Sequence, residues 1–174
     1  MEDENLDVTP AVTVHNLLQA FPQLEEVLIG IAPPFKKLNN PILRKSVAKV
    51  ATIKHISAVG KVPLEDLINT LRKAAGQSVS TTNYDNEEYF LEQPDWFHKD
   101  KIVVSIDEAT IEDKNQMALV TLMKKAKDVE PGEIIELLTN FLPAPGIDIM
   151  KSKGYSVWSI IWGWRADFVV FSQE

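Results

Sequence analysis

Tyr155-Ser-Val-Trp-Ser-Ile-Ile-Trp162 and Arg165-Ala-Asp-Phe-Val-Val-Phe-Ser172, parted by Gly163, decide the fold of the C-terminal half. Both runs are dense in β-branched and aromatic residues, and a glycine turn between two such runs marks a β-hairpin. Upstream of the hairpin, Pro145–Lys153 has the spacing of a short helix ended by Gly154. Glu133–Asn140 reads as a strand entered through the Pro131-Gly132 turn. Gln116–Lys127 places Met117, Val120, Leu122 and Met123 at helical spacing, and Lys101–Ile106 is again β-branched. The order βαβαββ implies a two-layer α/β sandwich, a four-stranded mixed sheet with its helices on one face.

Residues 8–75 carry helix punctuation instead. Thr13 can cap a helix running to Ala20, and Pro22 suits the first turn of the next, where Leu24, Val27, Leu28 and Ile31 recur at helical spacing. Pro33-Pro34 stops that helix because neither proline has an amide proton to donate. Asn40-Pro41 starts another, with Leu43, Val47 and Val50 on its apolar face and Lys45 and Lys49 opposite. Thr52 starts a fourth that Gly60 ends, and Pro63 opens the last, with Glu65 and Asp66 in its first turn and Arg72 and Lys73 in its last. The expected fold class is α+β: a helical domain over 8–75, a linker over 76–100 and the sandwich over 101–174. The linker begins polar and turns acidic and aromatic, with Tyr84, Tyr89, Phe90, Trp96 and Phe97. A freely moving tether has no use for five aromatics, so this segment is expected to lie against a folded surface.

The chain has 174 residues, 45% of them hydrophobic and 25% charged, ordinary globular material. No apolar run approaches the ~20 residues that span a bilayer. The start, Met1–Asp7, is acidic where a secretory signal is basic and then apolar, so a cytoplasmic location is expected. The net charge of −7 is unevenly spread. No acid falls between Glu26 and Glu65, where Lys36, Lys37, Arg44, Lys45, Lys49, Lys54 and Lys61 lie. Residues 77–100 carry six acids and one base.

The βαβαββ order and the Pro-Gly-Glu turn into the second strand resemble the TusA-like sulfur carriers. In those carriers the first strand runs into a Cys-Pro pair at the start of the first helix. Ile106-Asp-Glu-Ala-Thr-Ile-Glu-Asp-Lys114 places Asp113-Lys114 there, and a carboxylate cannot carry a persulfide. Residues 8–75 resemble a helical domain of unknown function related to the N-terminal domain of iron–sulfur repair (ScdA-type) proteins. The resemblance is carried by Leu24-Glu-Glu-Val-Leu-Ile-Gly30, by the run from Asn40 to Ala51, and by Val62-Pro-Leu-Glu-Asp-Leu67. Many such relatives place cysteine just after the glycine equivalent to Gly30; here the chain reads Ile31-Ala-Pro-Pro-Phe35. The resemblances imply a setting in bacterial sulfur, redox or iron–sulfur metabolism, without sulfur-carrier activity.

No catalytic motif stands out, and no catalytic residue, cofactor or metal ligand is assigned. Asp107, Glu108, Glu112 and Asp113 could offer oxygen ligands to a hard cation, but acids beside a helix start are ordinary capping chemistry. His15, His55 and His98 lack paired metal-binding spacing. Thr52–Leu71 has the outline of a helix-turn-helix, yet its second helix starts Leu64-Glu-Asp, acids facing phosphate, which disfavours nucleic acid.

The sheet carries the strongest functional signal. Trp158, Ile160, Trp162, Trp164 and Phe168 give one face of the hairpin a run of large apolar side chains, and helices cover only one side of a two-layer sheet. The expected function is a non-catalytic protein-binding or adaptor role, with a protein partner or a second copy on that face. The linker or the helical domain could also cover it. The alternative is a small-anion binder or enzyme with a pocket between the domains, lined by Lys114, Pro143, Pro145, Arg44 and Lys45.

Overall fold

A computed structural model describes residues 6–84, 89, 92–112, 118–162 and 166–173, with side chains described up to Ile160 apart from Leu38 and Leu43. The chain is α+β and divides into two compact units, Met1–Asn86 and Glu87–Glu174. The segment expected as a separate linker is therefore shared between them, and its second half belongs to the sheet unit.

The first unit is built on caps legible in the sequence. Helix α1 (Val14–Ala20) is capped by Thr13, whose hydroxyl accepts the Asn16 amide. Pro22–Leu24 forms a 3-10 turn that leads into α2 (Glu25–Ile31), so the helix starts after Pro22. In α3 (Pro41–Val50) Asn40 accepts the Ile42 amide, and in α4 (Ile53–Gly60) Thr52 and His55 form a reciprocal capping box. Helix α5 (Leu64–Ala74) opens after Pro63 with acids in its first turn and Arg72 and Lys73 in its last. Thr13 and Thr52 bridge to each other, so α1 and α4 start from one short ladder. The core gathers Leu17, Leu24, Ile53, Ile56, Leu67, Ile68 and Leu71, all essentially buried.

One expectation for this unit is corrected. Helix α3 turns Ala48 inward and leaves Val50 43% exposed and Ile42 57% exposed. Helix α3 packs against α1 and the 3-10 segment Pro33–Asn39. Gly60 ends α4 as expected, and the left-handed residue that follows is Lys61, at φ 53°. The need for glycine at 60 is steric, since a Cβ there would sit 2.7 Å from the Ile31 carbonyl oxygen.

The unit is closed at its ends. Gln77 accepts the Val8 amide through Oε1 (3.1 Å) and donates through Nε2 to the Leu6 carbonyl (2.6 Å). Arg72 donates to Asp7 Oδ1 at 2.6 Å, to the Val8 carbonyl at 3.0 Å and to the Ser78 carbonyl at 2.5 Å.

The second unit has the order β1 (Ile102–Asp107), α6 (Ala118–Lys125), β2 (Ile134–Thr139), α7 (Ala144–Ser152), β3 (Tyr155–Trp162) and β4 (Ala166–Gln173). Its sheet runs β1-β2-β4-β3, with β1 parallel to β2 and the other pairings antiparallel. The helices lie side by side, for the Leu119 side chain of α6 would be 3.3 Å from a Cβ on Gly146 of α7. The Tyr155 hydroxyl donates to the Ala126 carbonyl just beyond α6, which turns the odd-numbered residues of β3 toward the helices. Trp158 and Ile160 therefore lie on the other face, with Ile134. A register shift between Ile102 and Val104 brings Ile102 to that face as well, while Ile106 is buried beside Leu137.

Candidate functional site

The apolar face away from the helices is the place to look for function, because a two-layer fold leaves it uncovered by secondary structure. Its Trp158 end is covered from within the unit. Phe97 meets the Trp158 ring at a centroid distance of 4.7 Å and a tilt of 51°. Trp96, Ile102 and Ile160 complete a cluster around Trp158 and Ile134. Trp158 is thus 5% exposed. It is a core residue rather than an open anchor, because chain from upstream of β1 folds back across it.

On the helix side the same segment is pinned by Tyr89, which is 2% exposed. Its hydroxyl donates to Asp148 Oδ2 of α7 at 2.8 Å, and its carbonyl accepts the Ser159 hydroxyl at 2.7 Å. Lys151 Nζ stands 5.8 Å from the centre of the Tyr89 ring. The expectation that the aromatic linker lies on a folded surface thus describes Tyr89, Trp96 and Phe97; Phe90 lies outside the described residues.

Beyond the covered end, Ile160 is half-buried, and so is Leu138 of β2. In register, Phe168 pairs with both. Trp162 pairs with Ala166 in register, and its side chain lies outside the described residues. Trp164 lies outside the described residues.

The residues expected to line an anion pocket fall in different units. Arg44 meets Glu25 through both terminal nitrogens, at 3.1 and 3.2 Å, so its guanidinium is already engaged with a carboxylate. Lys45 is exposed on α3. Pro143 immediately precedes α7 and Pro145 lies in its first turn, where neither supplies an amide proton. Asp148 further along that helix takes the Tyr89 hydroxyl. Lys114 lies outside the described residues.

Among the described residues no cluster of three or more His, Asp or Glu is gathered as a cation would need. Asp107 accepts the Ala109 amide at 2.9 Å in a local turn, while Asp113 lies outside the described residues. His55 is a buried structural residue whose Nδ1 accepts the Thr52 amide at 3.0 Å. Sequence reasoning missed Tyr89 and Asp148 as a pair. A tyrosine amid acids was the available signal, and its partner is 59 residues away.

These features define an α+β protein with a helical unit and a strapped mixed-sheet unit. Residues 8–68 match a family model described as a domain of unknown function (DUF1858). No curated protein matches the chain, and no solved structure does. Among the described residues no helix is long and apolar enough to cross a membrane.

Proposed function

We propose that this chain is a non-catalytic protein-binding or adaptor protein that engages its partner through the sheet face beyond the covered Trp158. One observation carries the reading: half-buried Ile160 and Leu138 flank the register position of Phe168 on the face away from the helices. An apolar strip continuing past an intramolecular cover is a surface for another protein. The βαβαββ order, the paired helices and the left-handed Gly132 in the turn before β2 support the TusA-like likeness. That likeness, with the helical unit's resemblance to iron–sulfur repair proteins, supports a setting in bacterial sulfur, redox or iron–sulfur metabolism. Sulfur transfer is not part of the proposal, since the chain has no cysteine.

The test is to compare wild type with Ile160→Ser and Trp162→Ser by tagged capture from the native host followed by native mass spectrometry. The reading expects a partner, or a second copy, at fixed stoichiometry with wild type. It expects loss of that species in the variants at unchanged circular dichroism. A wild-type chain recovered alone, or variants that unfold rather than dissociate, overturns it.

A further inference from the structure

Helix α3 turns little of its surface into the core. Ala48 is buried and Val47 half-buried, while Ile42, Lys45, Ser46, Lys49 and Val50 are all exposed. Those five stand at positions i, i+3, i+4, i+7 and i+8, so they form one stripe along the helix. From Ile42 to Val50 the stripe runs about 12 Å at 1.5 Å per residue. Ile42 is the most exposed large apolar side chain among the described residues, and Val50 is another of that kind. A single exposed apolar residue is ordinary; two on one stripe with cations between them make a pattern.

The charge of the stripe is left uncompensated. The sequence has no acid between Glu26 and Glu65. Glu25 reaches α3, but it is engaged by Arg44, which it meets at 3.1 and 3.2 Å. Among the described residues neither Lys45 nor Lys49 has an acidic partner. The Pro33–Asn39 segment packed on α3 adds the exposed cations Lys36 and Lys37. Lys45 and Lys49 are about one helical turn apart, roughly 6 Å along the axis, which is the spacing of two acids four positions apart on another helix. Between them the Ser46 hydroxyl donates to the Ile42 carbonyl at 3.1 Å, turned to the helix's own backbone.

We infer that the exposed stripe of α3 docks an acidic amphipathic helix of a partner protein. Two acids four positions apart would meet Lys45 and Lys49, and two apolar residues eight positions apart would meet Ile42 and Val50. Reversing the partner's direction preserves both spacings, so the match holds either way. Charge complementarity selects an acidic partner, and the apolar ends select protein over nucleic acid. A phosphate backbone gives Ile42 and Val50 nothing apolar to meet, and the net charge of −7 opposes a polyanion at range. Two apolar side chains parted by lysines are also not the continuous apolar face that enters a bilayer. The surface belongs to the helical unit and stands whether or not the sheet face binds a partner.

The experiment titrates the isotope-labelled full chain with a synthetic helical peptide carrying Leu-Ala-Gln-Glu-Ala-Gln-Gln-Glu-Leu, followed by the backbone amide resonances. The amides of residues 42–50 should shift, and the affinity should fall as salt is added. Lys45→Gln with Lys49→Gln should weaken binding about tenfold, the worth of two exposed ion pairs. Ile42→Ala with Val50→Ala should also weaken it while keeping the salt dependence. All four side chains are exposed, so both double variants should keep the wild-type circular dichroism melt. The inference is overturned if the α3 amides do not move, if the lysine variant binds as tightly as wild type, or if a peptide with Gln for both Glu binds equally well. Duplex DNA or phosphatidylglycerol vesicles perturbing the same amides more strongly than the peptide would overturn it too.

Discussion

Two glycines in one helical unit offer a controlled test of how the packing of α2 against α4 is held. Gly30 and Gly60 both lie within helices, so alanine at either should gain up to about 0.5–1 kcal/mol from lower chain entropy. Their surroundings differ. A Cβ at Gly30 meets nothing within 4 Å, whereas one at Gly60 comes 2.7 Å from the Ile31 carbonyl oxygen and 3.1 Å from its Cγ2. The obstacle is main chain, so no side-chain rotation relieves it and the two helices must separate. Overpacking of this sort costs about 1–3 kcal/mol. Gly30→Ala should therefore stabilise by up to about 1 kcal/mol, and Gly60→Ala should destabilise by about 0.5–2 kcal/mol after the entropy gain is offset. For a unit of this size each kcal/mol moves Tm by roughly 4–8 °C. The chain offers separate readouts. All four tryptophans lie in the second unit, while α1 to α5 lie in the first. Helical circular dichroism should thus shift in opposite directions for the two variants, with the tryptophan fluorescence transition unmoved. Equal shifts for the two alanines would refute the steric role given to Gly60.

Other outcomes follow from single contacts. Tyr89→Phe removes the hydroxyl that Asp148 accepts and should destabilise the second unit by about 1.5–3 kcal/mol, read as a lower midpoint in tryptophan fluorescence. Thr52→Ala removes the oxygen that accepts the His55 amide and should cost about 1 kcal/mol in the circular dichroism melt, while Thr52→Ser should keep most of it. Gly154 joins α7 to β3 at φ 91° with open space around it. Gly154→Ala should therefore destabilise by about 1–2 kcal/mol through backbone strain alone, visible in urea unfolding of the second unit.

Local signals in this sequence proved readable where one residue decides the conformation of its neighbours. Thr13, Asn40 and Thr52 cap their helices, Pro63 opens α5, and the hairpin strands fall where β-branched and aromatic residues cluster. What depends on distant chain was not readable. Val50 has helical spacing with Leu43 and Val47 but is exposed, because the neighbours that decide which face of α3 is buried come from elsewhere in the fold. Gly60 ends α4 as read, but its steric constraint comes from Ile31, 29 positions earlier. On the sheet face, alternation placed Trp158 with Ile160 correctly. Period alone could not show that Phe97, more than 60 residues upstream, would cover one and leave the other half-exposed.

The clasp of Arg72 and Gln77 around residues 6–8 has a mechanical consequence. Tension between residue 6 and the segment beyond residue 78 falls first on a handful of hydrogen bonds at the points where the chain arrives and leaves. Those bonds lie outside the buried helical core, so they are the part of the helical unit that such tension loads first. Its adjoining ends also make the unit portable. Set into a surface loop of another polypeptide, it would add little closure entropy, since doubling a loop costs only about 0.6 kcal/mol.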